Sequence, residues 1–432
     1  MRKKRNTVFN PIPAKPDYPA IEEEILKFWE TDGTFEASVR FREGGSKVFV
    51  FYDGPPFANG LPHYGHILTG YVKDVVPRYK TMRGFHVPRR FGWDCHGLPA
   101  EMEMEKEAGI HGRVQIAGYG IDRFNEGCRS LVMKYVEEWV RAVTRQGRWV
   151  DFKNDYKTMD IDFMESVLWA FKTLYERGLI YKGARVLAYC TRCETPLSNF
   201  ETRIDNSTRP KQDPAITVLY KLKDNDRLPP DTYLLVWTTT PWTLPSNLGI
   251  AVGVDIDYIL FREDTSHYLI ARERVEAYTK QLQHAQRVKT LKGSELVGLS
   301  YEPLFEYFRD TPNAFKIMAG DFVTTEDGTG IVHIAPGFGE DDQILCDAQG
   351  IPTITPVDIQ GNFDERVSDY TGRYVFDTNK DIIVRLRDEG KLVRHDTIEH
   401  NYPFCWRCDT PLIYRAFPSW YVKVNDFKER ML

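Results

Sequence analysis

Two histidines three residues apart open the chemistry of this chain. They close the stretch PPFANGLPHYGH, Pro55–His66, behind a loop holding three prolines and two glycines. Three readings of His63 and His66 are open at that spacing: a zinc pair, a helix cap, or donors for phosphate. No acidic or cysteine partner stands at useful spacing for a shared metal. A helix start offers unpaired N–H groups and the positive end of its dipole, and imidazole donors there suit phosphate oxygens. Gly65 lets a ligand approach the backbone closely. The second landmark, GWDCHGLP over 92–99, puts Asp94 in a glycine-bearing loop 28 residues beyond His66. A carboxylate at the end of a strand suits a ligand ammonium group, because open α/β sheets bind ligands at strand C-termini.

Cys190-Thr-Arg-Cys193 and Cys405-Trp-Arg-Cys408 are two C-x-x-C knuckles with matching tails, ETPLSN and DTPLIY. Two residues between thiols turn both sulfurs toward one point, and two knuckles complete a tetrahedral thiolate shell for Zn²⁺. A redox-active C-x-x-C comes singly, in its own βαβ setting. If the pairs share one ion, zinc staples the two necks of the segment between them. Cys95, Cys128 and Cys346 lack such partners and read as buried or incidental.

The elements that must position these groups change character along the chain. Residues 21–30 read as a short amphipathic helix and 47–54, KVFVFYDG, as a buried strand ending in Gly-Pro-Pro. Apolar residues every fourth position predict a helix over 66–82, then a strand and loop over 86–94. One long helix is predicted over 122–146 and another over 162–178, closing at Gly178. Strand and helix in alternation indicate an α/β domain with a parallel sheet. From about residue 200, short β-rich runs take over: 216–222, 232–240, 256–261, 267–271, 321–325 and 328–336. The segment TPLIYRAFPSWYVKV after the second knuckle reads as a strand returning to the first domain.

Composition narrows the class. With 42% hydrophobic, 13% aromatic and 28% charged residues, the chain is globular rather than disordered. No apolar run approaches the length of a membrane-spanning helix. The basic start, MRKKRNTVFNPIPAKPDYP, has no apolar stretch behind it, which argues against a secretory signal. A net charge of -5 argues against a small dedicated RNA-binding module, though not against a large enzyme with a local basic groove. Seven cysteines without a signal segment point to reduced thiols in the cytoplasm.

Taken together, the landmarks resemble the class I aminoacyl-tRNA synthetases. PPFANGLPHYGH is similar to the family's HIGH signature, with Tyr64 at the variable position. Within the class, FGWDCHGLPAE over 91–101 resembles the isoleucyl branch more than the leucyl or valyl branches. WTTTPWTLPSN, beginning at Trp237, resembles the threonine-rich motif of the isoleucyl and valyl editing domains; GTGIVHIAP, beginning at Gly328, is a further match, with Asp342 nine residues beyond His333.

The resemblance implies a Rossmann-type α/β domain of parallel strands, interrupted by a β-rich editing domain on a zinc-knuckle base. Its divisions would be an arm over 1–46, a first catalytic half over 47–185, a knuckle over 186–200, the editing insertion over 201–395, and a second knuckle with re-entry over 396–432. It implies that isoleucine and ATP with Mg²⁺ give isoleucyl-adenylate, that the acyl group passes to tRNA(Ile), and that a monomer does this. Gly54, Pro55 and Asp94 would hold the amino acid, while His63, Gly65 and His66 would act on ATP. Threonines in a strand are by themselves ordinary surface hydroxyls. In the family context, Thr238, Thr239, Thr240 and Thr243 would hold a terminal adenosine and position water. Asp342 would pair with the ammonium of a misattached amino acid, and His333 would limit pocket size. Editing is needed because isoleucine and valine differ by one methylene, a difference known for this pair to be worth only about 1–3 kcal/mol in a pocket. The family's second signature, KMSKS, does not occur in these 432 residues. The expectation is therefore an amino-terminal part that does not aminoacylate alone. A standalone editing or tRNA-binding factor, a valyl-type enzyme and a structural zinc protein remain the rivals.

Overall fold

The computed structural model describes residues 14–45 and 47–432. The basic start, residues 1–13 of the expected arm, lies outside them. The chain divides into two compact units, Met1–Gly178 and Leu179–Leu432.

In the first unit, the expected helix over 21–30 extends over Tyr18–Asp32, capped by the Asp17 carboxylate and stopped by Gly33 at φ 64°. A short strand, Arg90–Trp93, runs parallel to Asp151–Lys157. Two further parallel bridges, Val48 to His86 and Phe57 to Asp94, extend the same direction. The parallel sheet is thus present, but 47–54 is not a regular strand. Only its first residues pair, and the backbone then runs extended into Pro55 and Pro56, which carry no N–H donor. Val50 and Tyr52 are exposed rather than buried.

The expected 122–146 helix is two, Ile121–Val132 and Val136–Arg145. The break has a tertiary cause: the Tyr135 N–H donates to the Ala58 carbonyl of the proline loop, at 3.0 Å. Of Leu131, Tyr135, Trp139 and Val143, which helical spacing sets on one face, Trp139 and Val143 are buried in one cluster, Leu131 is buried in another, and Tyr135 is half-buried. The helix Tyr64–Met82 starts two residues before the expected position, and only Gly70 and Pro77 on it are buried. Its apolar stripe, including Leu68, Tyr71 and Val72, is exposed. The helix Ile161–Glu176 ends before Gly178 in left-handed conformation, φ 69°.

The second unit is built on a nine-stranded mixed sheet. Thr232–Thr238 lies near its middle, between Thr208–Lys221 (antiparallel), Ser266–Ala271 and Ile331–Ile334 (both parallel). Leu392–Pro403 pairs along Thr208–Lys221 and closes that edge. The apolar alternation of these runs packs Ile216, Val218, Leu234, Val236, Ile250 and Leu260 into one core. Residues 321–325 form no strand; left-handed Gly328 and Gly330 coil the chain here, and Phe322 and Thr324 face a cavity instead. The segment expected to return to the first domain is the strand Ile413–Val422, and it lies within the second unit. It pairs antiparallel with Ile180–Cys190 over ten residues, from Tyr189 opposite Ile413 to Ile180 opposite Val422. Among the described residues no helix is long and apolar enough to cross a membrane.

Candidate functional site

The strand Thr232–Thr238 ends at a cavity of about 330 Å³. Thr238, Thr239, Thr240, Thr243, His333 and Asp342, separated by up to about a hundred residues in sequence, all line it. A tight turn, Pro241–Ser246, follows the strand. It folds Thr243 back so that its Oγ1 lies 3.1 Å from Thr240 Oγ1 and donates to the Thr240 carbonyl at 2.8 Å. Thr240 N–H donates to Thr238 Oγ1 at 3.1 Å. Thr238, Thr240 and Thr243 thus form a connected hydroxyl cluster, not a row of independent surface groups.

His333 is buried, with Nε2 2.9 Å from Thr243 Oγ1 and Nδ1 2.8 Å from Asn247 Nδ2. Desolvation pushes its pKa down to about 3, so the ring is neutral. Asp342 sits in the first turn of the helix Glu340–Ala348, and its Oδ2 accepts the Ala335 N–H at 2.8 Å. Burial, with the Asp341 charge adding to it, still pushes this carboxyl up to about 7. A Cβ on Gly339 would meet that carboxylate at 2.6–2.8 Å, so glycine there keeps room for it.

In the first unit, His63 is itself the N-cap of the helix Tyr64–Met82. Its Nδ1 accepts the Gly65 N–H at 3.1 Å, and His66 Nδ1 accepts the His63 N–H at 3.2 Å. The rings stack with centroids 3.6 Å apart. Because both Nδ1 atoms accept, the proton of each neutral ring is on Nε2. The cap and the phosphate donor are therefore compatible readings: Nδ1 serves the helix and Nε2–H remains a donor. Desolvation, aided by the His63 and Lys73 charges, lowers the His66 pKa. Gly65 has an internal reason to be glycine, since a Cβ would come within 3.0 Å of the His63 ring. Asp94 donates its N–H to the Pro56 carbonyl at 2.9 Å, which sets it beside the proline loop. Burial raises its carboxyl pKa, opposed by His96 and by hydrogen bonds from Thr158 and the backbone. Gly54 is held through its carbonyl by Lys73 Nζ at 2.8 Å.

The four knuckle cysteines converge, every ligand sulfur lying within 4.8 Å of the others. Cys408 Sγ is 3.4 Å from both Cys190 Sγ and Cys193 Sγ. A tetrahedral zinc at 2.3 Å from each sulfur spaces them by about 3.8 Å, so the quartet fits that ion. Each knuckle turns through a left-handed residue at the same place, Glu194 at φ 51° and Asp409 at φ 61°. Cys190 and Cys405 are fully buried against Ala188, Leu197 and Leu412. Of the other thiols, Cys95 and Cys346 are buried and Cys128 is half-buried.

Residues 24–432 match the model of the family described as tRNA synthetases class I (I, L, M and V). The chain belongs to the class I tRNA synthetases. Similar curated relatives include the isoleucine–tRNA ligases of Rickettsia conorii (strain Malish 7) and Rickettsia felis (strain URRWXCal2). They are 56% and 55% identical to it over 434 and 445 residues, covering 99% of this chain and 40% and 41% of their own. The chain thus spans about two fifths of the length of these relatives.

Several residues of this class I synthetase have positions at the site that the sequence did not assign. Trp139 donates its indole N–H to the Gly60 carbonyl at 2.8 Å and packs edge-on to His66 at 4.7 Å, tying the proline loop to the histidines. Asp53 pairs with Lys73 at 2.5 Å and with Arg148, anchoring the loop from behind. Asn247 holds His333. It stands within the threonine motif, where an asparagine two residues past a proline is ordinary turn chemistry and carries no signal of its own. The lone tryptophan on a polar helix, Trp139, was the most readable of them.

Proposed function

We propose that the chain carries two sites of an isoleucine–tRNA ligase: part of the site that activates isoleucine with ATP and Mg²⁺, and the site that hydrolyses valyl-tRNA(Ile). The single observation that supports this most is the convergence of the four threonines, His333 and Asp342 on one small cavity. Hydrolysis of an activated ester requires positioning and desolvation more than a strong nucleophile. The Thr238–Thr243 hydroxyls hold the terminal adenosine and a water, and Asp342 takes the ammonium. His333, pinned between Thr243 and Asn247, forms a wall that a side chain larger than valine meets. At the other site Asp94 meets the isoleucine ammonium, Gly54 and Pro55 shape its pocket, and His63, Gly65 and His66 face the ATP phosphates. Cys190, Cys193, Cys405 and Cys408 hold a structural Zn²⁺.

The test is single-turnover hydrolysis of tRNA(Ile) charged with valine or isoleucine. The valyl ester is expected to disappear about 10–200-fold faster, the discrimination one methylene supports. Equal rates, or a Thr239→Ala variant as fast as the parent chain, sink the editing reading. The histidines have their own test. Asparagine is a strong N-cap, so His63→Asn keeps the helix start within about 0.5 kcal/mol but removes the Nε2–H donor. Calorimetric binding of a non-hydrolysable isoleucyl-adenylate analogue is expected to weaken about tenfold, the value of one charge-assisted hydrogen bond, while the melting temperature stays put. Unchanged binding leaves His63 a cap and nothing more.

A further inference from the structure

We infer that Tyr301 is a positioning residue for the hydrolytic cavity, holding His333 in one tautomer through Asn247. Tyr301 is fully buried and does not line the cavity. Its hydroxyl lies 2.6 Å from Asn247 Oδ1. The orientation of that amide follows from its surroundings. Its other terminal atom faces the Gly249 carbonyl at 2.8 Å and the Ile334 carbonyl at 3.4 Å, both acceptors only. That atom is therefore the NH₂ nitrogen, and the oxygen faces Tyr301.

The rest of the chain of bonds follows. Asn247 Nδ2 also donates to His333 Nδ1 at 2.8 Å, so Nδ1 carries a lone pair and the ring proton is on Nε2. Nε2–H then donates to Thr243 Oγ1 at 2.9 Å. Thr243 Oγ1–H donates to the Thr240 carbonyl at 2.8 Å, and its remaining lone pair faces Thr240 Oγ1 at 3.1 Å. Donor direction thus runs from Tyr301 through Asn247, His333 and Thr243 to the Thr240 carbonyl, and the Thr240 hydroxyl at the cavity wall donates into Thr243. A protonated His333 would set a second donor against the Asn247 NH₂, so this arrangement excludes the imidazolium.

Tyr301 is the far end of the relay and has no other visible polar task. Its ring is held edge-on by Tyr220 at 5.4 Å and Phe315 at 5.9 Å, contacts that phenylalanine keeps. Removing the hydroxyl leaves Asn247 Oδ1 unpaired in a dry interior. The amide then turns to recover a partner, and any turn withdraws its N–H from His333 Nδ1 and releases the tautomer.

The consequence for hydrolysis rests on the editing reading above; the tautomer does not. The experiment is a side-chain nitrogen–proton correlation spectrum of the chain labelled at histidine, with His333 assigned by its loss in His333→Gln. The parent chain is expected to show one Nε2–H tautomer that does not titrate across about pH 5–8. Tyr301→Phe is expected to show mixed or exchange-broadened tautomers at His333, an unchanged fold by circular dichroism, and valyl-tRNA hydrolysis lowered about tenfold, the rate equivalent of one lost hydrogen bond. A single unchanged Nε2–H tautomer in Tyr301→Phe overturns the proposal. So does an Nδ1–H or titrating His333 in the parent chain, which decides the matter even if the variant fails to fold. A tautomer shift in a chain that hydrolyses no ester leaves the positioning role standing and removes the editing reading instead.

Discussion

Asp342→Asn is expected to lower valyl-tRNA hydrolysis by about 10²–10³-fold while making the fold more resistant to unfolding at pH 8. The two effects have one cause. Asp342 has what a carboxylate wants, a place in the first turn of a helix and a backbone N–H at 2.8 Å. Desolvation at the cavity wall outweighs both and raises its pKa from 3.8 to about 7. The sign of the linkage follows. A carboxyl whose pKa is raised on folding contributes stability that is present below about pH 4 and lost as pH rises through about 7. Three units correspond to roughly 4 kcal/mol as an upper bound, since water reaches the mouth of the cavity. Asparagine has no proton to lose, so the variant gains over the parent chain at pH 8 and matches it near pH 4. A ligand ammonium offsets the same cost, and removing one partner of such a buried pair costs about 3–5 kcal/mol, hence the rate loss. Hydrolysis by the parent chain is expected to rise with pH and level off above about 7, whereas Asp342→Asn stays flat and low. Melting curves and single-turnover rates at several pH values check both halves. A variant within threefold of the parent rate, or one no more stable at pH 8, removes Asp342 from the role proposed for it.

The parts of this molecule legible in its sequence are those set by local pattern. The β-rich runs became strands because alternating apolar residues had one buried face to satisfy, as at Ile216, Val218 and Tyr220. The periodicity marked Leu131, Trp139 and Val143 as buried, although the helix breaks between them and Leu131 packs in a separate cluster. The break itself was invisible, because it depends on the Ala58 carbonyl more than seventy residues upstream. The stretch 47–54 misled for the opposite reason: an apolar, β-branched run has strand propensity, but a strand needs a paired neighbour along its length, and this one pairs only at its start, where Val48 bridges His86. At the candidate site, motifs located the groups that face the cavity. The groups that hold them were not legible. Tyr301 lies 54 residues from Asn247, and its use depends on a hydroxyl and an amide oxygen meeting at 2.6 Å, which no spacing encodes.

The cysteine quartet was legible as two halves, and whether the halves share one ion has a decisive consequence. Cys190→Ser and Cys405→Ser are each expected to take bound zinc from one ion per chain to nearly none. The four sulfurs form a single shell within 4.8 Å, so no pair of them can hold a full tetrahedron alone. Four thiols so close cannot ionise together without a cation: donating its proton to the three neighbouring sulfurs already pushes the Cys190 thiol far up. The left-handed backbone at Glu194 and Asp409 costs roughly 1–2 kcal/mol at each turn, a cost that metal coordination would offset. The knuckles are 215 residues apart, yet closing that span is not zinc's task alone. The ten-residue ribbon of Ile180–Cys190 with Ile413–Val422 already brings the necks together, and a loop can be closed only once. The damage is therefore expected to be local. Both serine variants lose the metal and the packing of Leu197 and Leu412 against the shell, and they melt earlier, while the nine-stranded sheet and the His333 spectrum persist. Elemental analysis alongside that spectrum separates the outcomes. Half-occupied zinc in either variant means two ions rather than one, and collapse of the sheet means that the ribbon does not hold the necks without metal.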